Sequence, residues 1–290
     1  MDRDCAGRNS SRPERDRLSS DCVFIAYAGK PLRAAKSYWW KVQIWDQHEA
    51  AGRWSDVATF TMGMQPSDWT AQWITADPQV LGTDPQKDAT AVPVFRHAFR
   101  TNGTVKRAIL FVSGLGQYEA LVNGQPVTDS VLNPGWTDYR KTILYNAFDV
   151  TRELKVGGNV IAVLMGNGMY NVPHTPQRYQ KLQGTFGPPK LIAQLILTHA
   201  DGSEETVGTD HSWTTSKSPI TFSSTYGGED YDARCRRGGS SQSSTMQSGL
   251  RQSATNPFDQ GNADLQGCES DHTKARRDRL RPWPELLRLA

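Results

Sequence analysis

Cysteine is scarce in this 290-residue sequence, and its four residues form no recognisable pair. Cys5, Cys22, Cys235 and Cys268 show neither a CxxC spacing nor the spacing of a disulfide framework. We therefore expect free thiols in a reducing compartment. The six histidines show neither HExxH nor HxH spacing, which argues against a zinc site.

Long apolar runs and a strong charge of one sign are also missing. No segment approaches the ~20 apolar residues of a membrane span, and the N-terminus lacks the apolar core of a signal peptide. These absences predict a cytoplasmic protein with no membrane partner. The net charge of +3 arises in residues 235–290, while cations and anions balance over residues 1–234. A balanced folded region argues against a nucleic-acid partner.

Hydrophobic patterning begins only after residue 21. Residues 1–21 are charged and Ser-rich, and we predict that they are disordered. Three strands are predicted next, "CVFIAY" at 22–27, "SYWWKVQIWD" at 37–46 and "VATFTM" at 57–62. In the second strand one predicted face carries Tyr38, Trp40, Val42 and Ile44, and the other carries Trp39, Lys41, Gln43 and Trp45. Because a fibronectin III or immunoglobulin sandwich needs about seven strands, residues 22–65 are predicted to form an incomplete fibronectin III-like sandwich.

A second block covers residues 66–234. Strands are predicted at 92–99, 105–112, 117–122, 142–148, 159–165, 190–198 and 204–207. Asn123-Gly124 and Asp201-Gly202 are hairpin dipeptides between alternating segments. Short strands with regular turns predict an antiparallel β jelly-roll, so the fold class is all-β. Residues 235–290 contain no Val, Ile or Tyr, and we predict a disordered or frame-shifted tail.

Three segments of this block carry the residues of a candidate site. They are "LNPGWTDYRKTILYN" at 132–146, "MGNGMYN" at 165–171 and "YGGEDYDAR" at 226–234. A sugar site needs aromatic platforms beside planar polar groups, because sugars present both C–H faces and hydroxyl edges. The candidate residues, all of these types, are Trp136, Asp138, Tyr139, Arg140, Asn167, Tyr170, Asn171, Glu229, Asp232 and Arg234. We expect the loops at 135–140, 166–171 and 226–234 within these segments to converge at one end or along one face of the jelly-roll.

Structural roles compete with binding for these residues. Trp136 is as well explained as a cover for the sandwich end, and Asp138 as a turn cap. Asn167 is as well suited to hold a tight backbone turn. Asp232 and Arg234 are better explained as a structural ion pair, or as residues that face another domain, than as direct sugar contacts. No cofactor is expected. Calcium is an alternative, because carboxylate and amide oxygens are its preferred ligands. The sequence does not, however, show the ligand spacing of an EF-hand.

Several motifs together resemble bacterial α-L-rhamnosidases. "YWWKVQIWD", "WSDVATFTMGM" and "DWTAQWI" are similar to the passage from a fibronectin-like module into that family. "VFRHAF", "GLGQYEALVNGQPVTDSVLNPGWTDYRKTILYNAFDVT", "GNGMYN" and "GGEDYDAR" resemble its N-terminal domain, in the same order. The resemblance covers roughly residues 22–234.

The resemblance implies where hydrolysis occurs in the family. Its acid and base lie in a large (α/α)6 barrel after the jelly-roll, and they release terminal α-L-rhamnose with inversion. None of these catalytic residues maps onto a position of this sequence. We therefore expect a fragment of an α-L-rhamnosidase that is inactive alone, with rhamnose-containing glycans or glycosides and the missing barrel as its partners. A stand-alone carbohydrate-binding module and a purely structural spacer are the alternatives.

Overall fold

The computed structural model describes residues 27, 29–46, 48, 50–76, 80, 92–172 and 174–233. The chain divides into two compact units, with the boundary between Met62 and Gly63. The predictions of disorder at 1–21 and of a disordered tail at 235–290 lie outside the described residues, as does the predicted strand at 22–27 except for Tyr27. Among the residues described, no helix combines the length and apolar character needed to cross a membrane.

The first unit contains a short antiparallel hairpin. Strand β1 (Ser37–Trp40) pairs with β2 (Ala58–Thr61), and the rings of Tyr38 and Phe60 stack at 5.6 Å between centroids. The strand predicted over 37–46 ends at Trp40. Beyond it the chain stays hydrogen-bonded to residues 50–55 without forming a regular strand, and it turns only after Asp46. The Asp46 carboxylate accepts hydrogen bonds from the N–H groups of His48 and Ala50 and closes that turn. No residue of 37–46 is buried, so the regular alternation did not produce a buried face.

The second unit is an antiparallel β-sandwich of two five-stranded sheets. The first sheet comprises β3 (Ile74–Thr75), β5 (Val105–Leu115), β8 (Asn146–Asp149), β12 (Lys190–His199) and β13 (Glu204–Gly208). The second comprises β4 (Pro93–Thr101), β6 (Gln117–Val122), β7 (Gln125–Pro126), β9 (Gly157–Gly166) and β14 (Thr214–Lys217). The strand order of the first sheet is β13-β12-β5-β8, with β3 also paired to β12, and that of the second is β14-β4-β9-β6-β7. From β4 to β9 the longer strands alternate between the sheets, which confirms the predicted all-β sandwich.

Two short hairpins complete the unit. Strand β10 (Asn171–Val172) pairs with β11 (Gly184–Thr185), and β15 (Ile220–Ser224) pairs with β16 (Gly228–Tyr231). The sequence did not predict these four strands, nor β14, because they are short and mostly polar, so that neither run length nor alternation marks them. The predicted strand at 142–148 is shorter than expected and begins only at Asn146.

The predicted turn at Asn123-Gly124 is present between β6 and β7. Both residues have positive φ, 52° and 81°, and the flanking Val122 and Gln125 pair directly. This is the backbone that a two-residue hairpin with right-handed strand twist requires. Asp201-Gly202 likewise connects β12 to β13.

The main core lies between the two sheets. Leu110 and Leu195 from one sheet meet Phe95, Ile161 and Met165 from the other, and all five are fully buried. The opposite face of β5 is buried as well, since Phe111 there contacts Trp69 and Tyr145 edge-on, at 6.5 and 5.9 Å between centroids. Residues 63–73 and the long loop before β8 therefore cover the outside of this sheet, which explains why β5 is apolar on both faces.

Gln194 fastens this covering segment to the sheet. Its side chain is buried; Nε2 donates to the Asp68 carbonyl at 2.8 Å, and Oε1 accepts from the N–H groups of Thr70 and Ala71 at 2.8 and 3.0 Å. Tyr145 makes a second attachment, because its hydroxyl accepts from the Met64 N–H at 2.7 Å. The single side-chain amide of Gln194 thus satisfies three backbone groups of the covering segment.

We expect Gln194→Ala to destabilise the protein by about 1–3 kcal/mol, because it leaves buried backbone groups without partners. Urea denaturation measures the change. Gln125→Ala, at an exposed strand position, is the matched control and should shift the free energy of unfolding by less than about 0.5 kcal/mol. Equal effects of the two substitutions would show that Gln194 does not hold the segment.

Candidate functional site

The 136–140 segment contains one exposed aromatic and one self-contained ion cluster. Trp136 is 63% exposed. The Asp138 carboxylate accepts from Nε of Arg140 at 3.1 Å and lies 3.7 Å from Nζ of Lys141. The hydrogen bond from Arg140 lowers the pKa of Asp138, and the Asp138 carbonyl accepts from the N–H groups of Lys141 and Thr142. Asp138 and Arg140 therefore stabilise the turn and engage each other.

Tyr139 and Tyr170 are buried against one another. Their rings meet edge-on at 5.3 Å, and Phe186 contacts both, at 6.0 and 5.5 Å. Trp73, Leu115 and Ile192 belong to the same buried cluster. Burial raises the pKa of Tyr139 to about 12. These two tyrosines therefore form a small second core that joins two of the candidate segments.

Asn167 and Asn171 form a buried amide network. Nδ2 of Asn171 donates to Oδ1 of Asn167 at 2.8 Å, and Nδ2 of Asn167 donates to the Ser223 carbonyl at 2.8 Å. The Thr185 hydroxyl donates to Oδ1 of Asn171 at 2.6 Å. The network links the segment to β11 and β15, so these amides are already engaged within the protein.

Gly168 lets this segment approach the neighbouring chain. Its φ is +53°, and a Cβ atom there would lie 3.1 Å from the Gln117 nitrogen and 3.2 Å from the Gly116 carbonyl carbon. Any other residue would have to displace backbone. Close packing therefore requires a glycine at position 168, the second glycine of "GNGMYN".

The third segment contains strand β16 and the turn that precedes it in the β15–β16 hairpin. Glu229 is exposed, and Asp232 is half-buried with its N–H donating to the Pro219 carbonyl at 2.8 Å. Asp230 forms an ion pair with Arg178 at 2.5 Å. Arg234 lies outside the described residues, so the proposed pair between Asp232 and Arg234 stays a prediction.

Two of the three segments are direct neighbours. Residues 166–171 contact the 136–140 segment through the two tyrosines, whereas Asn167 bonds to Ser223 of β15, the strand that pairs with β16 of the third segment. The structure therefore joins the first two segments directly and connects the third to them through β15. Of the ten candidate residues, four are buried (Tyr139, Asn167, Tyr170 and Asn171) and four lie on the surface (Trp136, Asp138, Arg140 and Glu229). Asp232 is half-buried, and Arg234 is outside the described residues.

Sequence reasoning missed the segment that connects these parts. Residues 174–187 supply Arg178, Thr185 and Phe186, each of which contacts a candidate segment. Their only detectable signal was an Arg and two aromatics within an otherwise polar stretch. In the described part of the chain, no group of three or more His, Cys, Asp or Glu side chains is placed to hold a metal ion.

Two protein-family models match this chain. Residues 103–273 match the model of the α-L-rhamnosidase N-terminal domain, and residues 6–66 match that of the Rha78A-like N-terminal immunoglobulin domain. This chain belongs to the α-L-rhamnosidase N-terminal domain family. The motifs showed the resemblance over residues 22–234. The immunoglobulin match begins before this range, and the N-terminal-domain match ends after it.

Individual α-L-rhamnosidases support the assignment. An α-L-rhamnosidase of Formosa agariphila is 34% identical over 248 residues, which cover 79% of this chain and 26% of that protein. The solved α-L-rhamnosidase from Dictyoglumus thermophilum is 36% identical with a TM-score of 0.61, over 73% of this chain and 24% of that one. The enzyme from Aspergillus terreus is 34% identical with a TM-score of 0.63, over 75% and 25%.

The chain spans about a quarter of the length of these α-L-rhamnosidases. The Trp-rich strands suggested a fibronectin III or an immunoglobulin fold. The family model that matches residues 6–66 is an immunoglobulin domain.

Proposed function

We propose that this chain forms the non-catalytic N-terminal region of an α-L-rhamnosidase, an enzyme that releases terminal α-L-rhamnose from glycosides. Its role is to support the catalytic barrel by docking against it. The family membership and the quarter-length coverage support the first part. The second part rests on one loop.

That loop exposes three large apolar side chains. Val131, Leu132 and Trp136, here called the apolar loop, are 76%, 68% and 63% exposed. Exposed apolar groups clustered in one place mark interaction sites more often than isolated ones do. This is the observation that carries the docking role.

The base of the apolar loop is held rigidly. Tyr139 packs against Tyr170 and Phe186 immediately after the loop, and the Asn133 carbonyl accepts from the Tyr118 N–H at 2.6 Å before Trp136. A rigid base keeps the apolar side chains at the surface and lowers the entropy lost on docking. The geometry therefore suits a permanent contact.

The polar groups near the apolar loop fit a sugar less well. Asp138 and Arg140 are paired with each other, and the amides of Asn167 and Asn171 are bonded to protein groups. A sugar site needs unengaged polar groups converging beside its aromatic platform. A docking role needs none, and we therefore place it ahead of sugar binding at Trp136.

Trp136→Ala separates the two roles. We propose to join this chain to the catalytic region of the Dictyoglumus thermophilum relative, replacing that enzyme's matched N-terminal part, and to measure thermal unfolding. Docking predicts that Trp136→Ala lowers the Tm of the joined enzyme, through a loss of about 2–4 kcal/mol typical of a buried interface aromatic. The same substitution should change the isolated chain by less than about 0.5 kcal/mol, because the side chain is exposed there.

Val156→Ala serves as the matched control, since Val156 is 71% exposed on a different loop. It should leave both proteins unchanged. An unaltered Tm of the joined enzyme, together with weaker binding of rhamnosides to the isolated Trp136→Ala chain, would replace docking by sugar binding.

A further inference from the structure

Three Asn-Gly dipeptides lie in the second unit, at Asn102-Gly103, Asn123-Gly124 and Asn167-Gly168. Asparagine is a thermolabile residue, and it is most labile before glycine, because glycine has no side chain to hinder its own backbone nitrogen. That nitrogen can attack the amide carbon of the asparagine. Attack requires the asparagine side chain to turn toward the nitrogen, and the fold holds the three side chains differently.

The Asn123 side chain is fully engaged. Its Nδ2 donates to the Glu153 carbonyl at 2.7 Å and to Oδ1 of Asn159 at 2.9 Å. Its Oδ1 accepts from the Val160 N–H at 3.0 Å. Attack at this dipeptide would have to break these bonds, so the fold protects Asn123.

The Asn167 side chain is buried and engaged as well. It is 7% exposed, and its amide bonds to the Ser223 carbonyl and to Nδ2 of Asn171, both at 2.8 Å. The following Gly168 packs closely against the backbone of Gln117. Attack here would break two buried bonds and displace a tightly packed backbone, so the fold protects Asn167 too.

Asn102 lies in the connection between β4 and β5 and is not held in this way. It is exposed, and its side chain forms no hydrogen bond with any residue that the structure describes. A Cβ atom placed on Gly103 would meet nothing within 4 Å. Of the three dipeptides, this one combines an unengaged amide with open space around the attacking nitrogen.

We propose that Asn102 undergoes spontaneous deamidation in the folded protein, while the fold protects Asn123 and Asn167. The Gly103 nitrogen loses its proton and bonds to Cγ of Asn102. The bond from Cγ to Nδ2 then breaks, and Nδ2 leaves as ammonia. Water opens the resulting succinimide ring at one of its two carbonyl carbons. Opening at Cγ gives aspartate, whereas opening at the backbone carbonyl carbon gives isoaspartate, in which the chain continues through Cγ.

Either product changes the connection between the two sheets. It adds one carboxylate, which is ionised at neutral pH, so the formal net charge falls from +3 to +2 (+3 − 1). Isoaspartate also inserts its Cβ atom into the backbone, at the point where the chain leaves β4 of the second sheet for β5 of the first. The modification concerns neither the apolar loop nor catalysis, so it stands or falls independently of the docking role.

Incubation of the complete 290-residue chain at mildly alkaline pH, followed by digestion and mass spectrometry, tests the proposal at all three dipeptides. We expect Asn102 to convert at least about tenfold faster than Asn123 or Asn167. A tenfold ratio of rates corresponds to about 1.4 kcal/mol in the barrier, which is about the net value of one hydrogen bond. The rate at Asn102 should rise with pH, because the Gly103 nitrogen must lose its proton, and isoelectric focusing should show a more acidic band.

Gly103→Val is the matched variant. The φ of Gly103 lies outside the left-handed region and its surroundings are open, so the substitution should leave the Tm unchanged. Conversion at Asn102 should nevertheless slow at least about tenfold, because a β-branched side chain crowds the attacking nitrogen. A merely structural role of Gly103 would not produce this combination.

The same chain unfolded in urea separates the effect of the fold from that of the local sequence. Without the fold, Asn123 and Asn167 should convert at nearly the rate of Asn102. The proposal is overturned if Asn102 in the folded chain converts no faster than the other two, or if Gly103→Val converts at the unaltered rate. It is also overturned if the three rates differ as much in urea as they do in the folded chain.

Discussion

The purified 290-residue chain is expected to leave aryl α-L-rhamnosides uncleaved. Inverting hydrolysis needs two carboxyl groups about 6.5–9.5 Å apart, one of which has a raised pKa so that it can donate a proton. Among the described carboxyl groups with shifted pKa values, Asp138 and Asp201 both shift downward, through hydrogen bonds from Arg140 and Ser203. Such groups stay ionised near neutral pH and make poor general acids.

The measurement is release of the chromophore from an aryl α-L-rhamnoside, beside the chain joined to a complete catalytic region. The joined protein should turn over at about 1–1,000 per second, as enzymes usually do, and the chain alone should match the buffer. Turnover by the chain that disappears in Glu229→Gln or Asp232→Asn would place catalysis in the sandwich and end the proposed non-catalytic role.

Tyr170→Ala should be among the most destabilising substitutions in the candidate segments, at about 3–5 kcal/mol. Tyr170 is 6% exposed, it packs between Tyr139 and Phe186, and its hydroxyl donates to the Phe186 carbonyl at 3.1 Å. The substitution empties the centre of the second core and leaves that carbonyl without this donor. Urea denaturation at several protein concentrations gives the free energy of unfolding.

Tyr170→Phe separates the two causes, because it keeps the ring and removes only the hydroxyl. It should cost about 0.5–1.5 kcal/mol, the usual net value of one hydrogen bond. A similar small loss for Tyr170→Ala would mean that the cluster does not act as a core.

Much of the sandwich was predictable from local patterns. The strand at 117–122 and the Asn123-Gly124 turn occur where alternation and turn chemistry put them. Strands β4, β5, β9 and β12 also begin within about two residues of expectation, because long apolar or alternating runs have few other stable arrangements. The hairpin β15–β16 was missed because its strands are short and mostly polar, and the Arg178 and Asn167 side chains that bond to its carbonyls come from distant parts of the chain.

The sequence by itself determined the family, the all-β class and the segments in which unusual residues cluster. Only the tertiary structure decided the direction in which each of those residues faces. Trp136 and Tyr139 are three positions apart in one turn, yet one is exposed and the other is buried under Tyr170. The physical reason is that irregular loops have no fixed period, so the partners that bury an aromatic ring or satisfy an amide come from distant parts of the chain. For Gln194 that partner lies more than a hundred residues earlier, at Asp68 to Ala71.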